Sequence, residues 1–288
     1  MKELVLGCIA FAALAAADPA VAADLTAKPV YKAPAAVAPP ASSWTGFYVG
    51  GNLGWGWDDP RAVQSDTIEA AFAGGPNFFV PSTVSGKSNS LLGGAHIGYN
   101  WQFAPTWVAG VEADWDFAHF SKSGTVGPLP VNFPNFGLSP TDPGTSFSAQ
   151  TRVTDPWSIR GRLGYSPQPV WMIYATGGFA QVGLKLNGNT SCAPLACILA
   201  AAQAPATVSA TRSGWVAGAG VEYMQPGSPW IVGFEYLYYG FDGSNIANAA
   251  FVPAGAGGSC AAGQACLHYA VGDFNVQSIR FRLSYKFN

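Results

Sequence analysis

The sequence predicts an all-β protein, an eight-stranded antiparallel transmembrane β-barrel with short periplasmic turns and four long extracellular loops. Three observations carry that expectation. Charged residues make up 10% of the 288 while 49% are hydrophobic and 14% aromatic, whereas a typical soluble domain is about 25% charged. The long apolar run Leu4 to Ala17 covers 14 residues, short of the ~20 that a spanning helix needs. Finally, Ile279, Phe281, Leu283, Tyr285 and Phe287 alternate with Arg280, Arg282, Ser284 and Lys286, so one strand face is apolar and the other polar. Apolar outside and polar inside is the pattern of a barrel strand in lipid. The formal net charge of -2 leaves no basic footprint for nucleic acid.

In chain order, residues 1–23 read as a secretory signal peptide. Lys2 precedes the apolar run, and the small residues Val21, Ala22 and Ala23 offer a cleavage site. Cys8 lies too near the start to follow a lipoprotein signal. Residues 24–43, rich in Pro and Ala, read as an extended periplasmic linker, and residues 44–288 as the outer-membrane barrel.

Aromatic markers recur roughly every 60 residues along that barrel. Trp44, Trp107, Trp171 and Trp230 open apolar alternating runs, and Tyr99, Tyr165, Tyr223 and Tyr285 close them. Short turn-rich segments holding Pro105, Pro167, Pro169 and Pro226 separate each closing Tyr from the next Trp. A ring of eight such rings near the turns predicts one aromatic girdle at the membrane interface, and four hairpins predict eight strands. These strands are expected near 44–57, 90–103, 106–118, 156–165, 170–184, 212–224, 230–241 and 274–287. The other connections, 58–89, 119–155, 187–211 and 242–273, are long and rich in Gly, Pro, Ser and Asn, and should face outside.

The motifs WTGFYVGGNLGWGW at Trp44 to Trp57 and GGAHIGYNWQF at Gly93 to Phe103, with the aromatic-ended last strand, resemble the small porin-like outer-membrane immunogenic proteins of alphaproteobacteria. That resemblance covers about Trp44 to Asn288 and implies an OmpA-type eight-stranded barrel in the Gram-negative outer membrane. It implies contact with outer-membrane lipid and lipopolysaccharide, with the barrel-assembly machinery, and with host or phage ligands through the loops.

With the apolar parity outward, the lumen receives Glu112, Asp114, Asp116, Arg160, Arg162, Glu222, Glu235, Arg280, Arg282 and Lys286, five acids against five bases. Neighbouring strands then offer opposite charges at the same depth, which predicts a salt-bridged lumen. The fifth strand, VWMIYATGGFAQVGLKL, has ambiguous parity because Trp171 and Tyr174 fall on opposite faces. An eight-stranded barrel is wide enough only for its own side chains, whereas open porins use about 16 to 18 strands.

Cys192 and Cys197 share one predicted loop and Cys260 and Cys266 another, which in an exported chain reads as two loop disulfides. A metal site with His268 is the rival. His96, His119 and His268 form no ligand spacing, and although Ser90 or Ser121 could serve a lipid-modifying hydrolase as nucleophile, the loops hold so many serines that the coincidence is worth little. No phosphate loop or dinucleotide fingerprint is evident, so neither a catalytic residue nor a cofactor is assigned. The sequence therefore points to a structural barrel that supports the envelope and displays loops such as Pro76 to Pro81 and Asn132 to Leu138, as a surface antigen or adhesin does. A narrow channel is the alternative, and a lipid A-modifying enzyme the remaining one.

Overall fold

A computed structural model describes residues 43–59, 61–67, 82–129, 145–192, 202–250, 252–253 and 266–287. The signal, most of the linker, both apolar loop motifs, Cys197 and Cys260 lie outside the described residues, as do the side chains of Cys192, Cys266 and His268. The strands in order are β1 (Gly46–Asp58), β2 (Arg61–Thr67), β3 (Ser82–Ser85), β4 (Ser88–Ala104), β5 (Trp107–Leu129), β6 (Thr145–Gln168), β7 (Trp171–Cys192), β8 (Ala202–Met224), β9 (Trp230–Phe241), β10 (Ser244–Ala250), β11 (Val252–Pro253), β12 (Cys266–Val271) and β13 (Phe274–Lys286).

Eight of them close a ring in the order β1, β4, β5, β6, β7, β8, β9, β13, antiparallel throughout. The last strand pairs with the first, Tyr48 opposite Lys286 through Asp58 opposite Val276, so the ring has no free edge. The alternation read from the sequence governs the wall. Leu53, Ile97, Val111, Ile159, Leu163, Ile173, Phe234 and Ile279 are exposed on its outside, as they must be where the solvent is lipid.

Strand length is where the structure departs from expectation. β1, β9 and β13 have 12 or 13 residues, while β5, β6, β7 and β8 have 22 to 24, about twice what a tilted strand needs to cross. Much of the predicted loops 119–155 and 187–211 is therefore a continuation of the wall above the membrane. The predicted loops 58–89 and 242–273 supply a second, four-stranded sheet in the order β10, β12, β2, β3, which lies against β5, β6 and β8.

A bulge marks the junction of the two storeys. The β5–β6 register jumps from Trp115 opposite Trp157 to His119 opposite Thr154, and the β6–β7 register jumps at the same place. Asp155 has φ of 49°, a left-handed conformation that Asp tolerates better than most residues. The adjoining Pro156 has no N–H to give and sits where the ladder is already interrupted. Across the junction β5 has one residue more than β6, and β6 one more than β7, and this one-residue offset exchanges the faces of β6. Ile159 and Leu163 point outward below the bulge, whereas above it Arg152 points outward and Val153, Ala149 and Phe147 are buried.

Candidate functional site

The interior of the ring is the site that decides what this barrel can do, and it is built in three layers. The middle layer is ionic. Glu112 and Asp114 project from β5, Arg160 and Arg162 from β6, Glu222 from β8, Glu235 from β9, and Arg280 and Arg282 from β13, all buried on inward parity. Register makes the neighbours: Glu112 lies opposite Arg160, and Arg280 opposite Glu235.

Arg160 is the hub. It pairs with Glu112, with Asp114 at 2.9 Å and with Glu235 at 2.9 Å, so strands on opposite sides of the ring share one guanidinium. Arg282 reaches Glu235 at 2.9 Å and also pairs with Glu112. Arg280 joins Asp114 at 3.2 Å, Asp116 and Glu235, and Arg162 joins Glu222 at 2.8 Å and Glu112 at 3.3 Å. Phenols and a hydroxyl complete the shells. Tyr48 donates to Glu112 at 2.7 Å, Tyr174 to Glu235 at 3.0 Å and Ser158 to Asp114 at 2.6 Å, while the Arg162 guanidinium lies 3.9 Å from the centre of the Tyr174 ring. Such charges persist out of water because each carboxylate is held by planar, multidentate donors.

The periplasmic layer is apolar: Trp44, Val108, Met172, Tyr174, Met224 and Ile231 pack together. Here one girdle residue requires correction. Trp44 is fully buried, and its indole N–H donates to Ser166 Oγ at 3.0 Å. Its even number shares the inward parity of Tyr48, so the residue facing lipid in the first repeat is Phe47, whose ring lies 4.7 Å from Tyr99. The other three repeats place Trp107 beside Tyr165, Trp171 beside Tyr223 and Trp230 beside Tyr285, at 5.4, 4.8 and 5.3 Å.

Lys286 also departs from expectation. It is buried on inward parity but meets no carboxylate among the described residues, and its ammonium instead donates to the carbonyls of Ser43 and Thr45. It thereby ties the end of the last strand to the segment carrying Trp44.

The outer layer is again apolar. Leu92, Val216, Leu237, Tyr239, Phe241 and Phe274 fill the barrel mouth, and the same cluster runs upward through Phe120, Phe147, Val153, Leu184 and Leu186 to Tyr269 and Val271 of the small sheet. Tyr269 stacks on Phe147 with centroids 5.9 Å apart and donates to Thr190 at 3.0 Å. Sequence reading missed the upper part of this layer because Phe120, Phe147, Val153, Tyr269 and Val271 fall in segments taken for loops. The signal was present: Val182, Leu184 and Leu186 continue the alternation of β7 without a break. The same alternation assigns β7, with Met172, Tyr174 and Thr176 buried and Trp171, Ile173 and Phe179 exposed.

The candidate hydrolytic residues do not assemble. Ser90 donates to its neighbour's carbonyl, Leu91 O, at 2.8 Å, and what reaches Ser90 from His119 is the backbone N–H at 3.3 Å. His96 pairs with Ser284 at 2.7 Å inside the barrel. Ser121 is exposed on the outer wall.

Comparison with known proteins places this architecture. The chain is 31% identical over 239 residues to the 31 kDa outer-membrane immunogenic protein of Brucella melitensis, covering 83% of this chain and 86% of that protein. It is 29% identical over 247 residues to the 25 kDa outer-membrane immunogenic protein of Brucella canis, covering 85% and 87%. Among solved structures it is similar to the outer membrane protein OprG of Pseudomonas aeruginosa, with 12% identity, coverage of 84% and 97%, and a TM-score of 0.43. A family model described as the outer membrane protein beta-barrel domain matches residues 5–287, so with its closed ring, lipid-facing aliphatics and aromatic girdle the chain belongs to that family and resides in the Gram-negative outer membrane.

Proposed function

We propose that this protein is a structural component of the outer membrane that presents its extracellular storey for surface interaction, and that it is not an open pore. One observation carries the reading: the ionic layer is capped on both sides by apolar side chains, Trp44 and Met172 below and Leu237, Tyr239 and Phe241 above. An ion crossing this path must leave water twice without a compensating charge, and that desolvation is expensive. The naming of the Brucella relatives as immunogenic proteins supports display at the surface.

The charged middle layer is the one observation favouring a narrow channel, and a channel would require both apolar layers to part. Reconstitution in planar bilayers separates the two readings. The structural role predicts silence across the accessible voltage range, and discrete single-channel steps from the purified, folded chain would overturn it. The enzymatic reading gains little from Ser90 and His119, since the hydroxyl proton is given to a carbonyl rather than an imidazole. Expression in a heterologous host should leave the mass spectrum of lipid A unchanged. Lipopolysaccharide around the wall, the assembly machinery at the periplasmic end and host or phage ligands on the outer storey are the partners this reading entails.

A further inference from the structure

Above the bulge, the outer face of β5 to β8 carries a rung that the structural role does not use. Ser121, Arg152, Lys185 and Ser209 lie side by side in register, and all four are exposed. Arg152 and Lys185 are directly opposite each other on neighbouring strands, where like charges repel. Neither side chain takes part in an ion pair or hydrogen bond among the described residues. Asp155, the nearest acid in the sequence of β6, sits at the bulge and is not paired with Arg152. Two adjacent, unpartnered cations flanked by hydroxyls form an anion site awaiting its anion.

What lies beneath that rung identifies the occupant. Trp157 donates to Gln181 at 3.2 Å and Gln181 to Ser213 at 3.1 Å, a rung of amphipathic groups of the kind that sits at a membrane interface. Lys185 is four residues beyond Gln181, roughly 13 Å along the strand, which places both cations at headgroup height. Below the interface a groove of about 750 Å³ opens on the lipid-facing wall, floored by Ala95 and Ala113 and bordered by Ile97, Trp115, Trp157 and Ile159. The groove reaches Gly183 and Thr211, which also line a smaller recess of about 260 Å³ whose other walls include Lys185 and Ser209. Apolar groove, interface and cation pair are thus continuous.

We infer that this wall is a binding site for a phosphorylated glycolipid of the outer leaflet, with a phosphate held by Arg152 and Lys185 and an acyl chain lying over Ala95 and Ala113. The inference rests on the outer-membrane placement of the chain and gives its lipid contact specific residues. Guanidinium and ammonium together suit phosphate, the first as a planar fork and the second as a point charge. Ser121 and Ser209 supply further donors in the same rung.

The test titrates lipid A, intact and dephosphorylated, onto the full chain folded in detergent micelles. The intact lipid should bind at least about tenfold tighter, the effect of one charge-assisted contact. In the R152Q/K185Q double variant the two lipids should bind alike, while K87Q, which changes an exposed lysine elsewhere, should retain the discrimination. Ala113→Leu should weaken both lipids in parallel by filling the groove. The gel-mobility difference between boiled and unboiled samples certifies folding of each variant, and the single variant R152Q replaces the double one if the latter fails to fold. A folded R152Q/K185Q protein that still prefers the phosphorylated lipid overturns the site, as does full displacement of lipid A by inorganic phosphate. Either result leaves the bilayer test of the structural role untouched.

Discussion

β6 crosses two environments and reverses its polarity between them. Below the bulge it shows Ile159 and Leu163 to lipid and sends Arg160 and Arg162 into the lumen. Above it, Arg152 faces outward while Val153, Ala149 and Phe147 are buried against the small sheet. β5, β7 and β8 make the same change with their faces kept, by changing residues: on β5 Trp115 and Phe117 give way outside to His119 and Ser121, and Asp114 and Asp116 give way inside to Ala118 and Phe120. The solvent, and not the strand, sets which side must be apolar. In lipid the outer face must be apolar and the middle of the lumen is filled by paired charges, whereas outside lipid the outer face turns polar and the interior is held by ordinary burial of apolar surface.

The sharpest way to break this contrast is to delete Asp155. Removing one residue here would turn β6 over above the junction, exposing Phe147 and Val153, each worth ~1.5–3 kcal/mol buried, and burying Arg152 among apolar side chains. Limited proteolysis should then cut the extracellular storey, while the segments below the junction stay protected. Equal resistance of the deletion and the wild type would show that the bulge does not set the faces.

Arg160→Met tests the lower storey. It leaves Glu112, Asp114 and Glu235 buried without their shared cation, a loss of ~3–5 kcal/mol. Urea unfolding from lipid vesicles, followed by tryptophan fluorescence, should show a drop of that size. A loss under about 1 kcal/mol, the value of an exposed pair, would mean that the layer is hydrated and the seal above and below it incomplete.

A smaller difference separates the two faces of one wall. A methyl on the inward Gly178 would collide with the Ile159 carbonyl, so Gly178→Ala should cost ~1–3 kcal/mol. On the outward Gly161 the nearest atom would be 3.9 Å away, and Gly161→Ala should stay within about 0.5 kcal/mol. The same urea series reads both.

The ring itself was legible because a period of two persists wherever one face meets lipid. Strand pairing, the closing contact of Tyr48 with Lys286, and the inward parity of the charged residues all follow from it. Above the junction the outward residues are mostly Ser, Thr, Asn, Gln and Gly, with His119, Arg152 and Lys185 among them, a composition shared by loops, so the strands there read as connections. Trp44 was misassigned for a different reason. The four-fold repeat aligned it with three girdle tryptophans, but Gly46 at φ of 143° starts β1 two residues later, and only parity could show that Phe47 takes the lipid position.

The junction also carries a titratable group on the aqueous side of the wall. Asp58 ends β1 above Trp55 and accepts a hydrogen bond from Ser88. Burial pushes its carboxyl up to about 6, the Ser88 hydroxyl offsetting part of the rise. An unfolded aspartate titrates near 3.9, so between about pH 4 and 6 the folded chain keeps a proton that the unfolded chain has released. The stability this group contributes is therefore complete below the unfolded value and is lost as the pH rises through 6. Urea midpoints measured from pH 4 to 7 should fall more steeply for the wild type than for Asp58→Asn, which has no proton to lose. Parallel curves would mean that Asp58 is solvated at the rim, and that the apolar packing of the upper storey stops short of it.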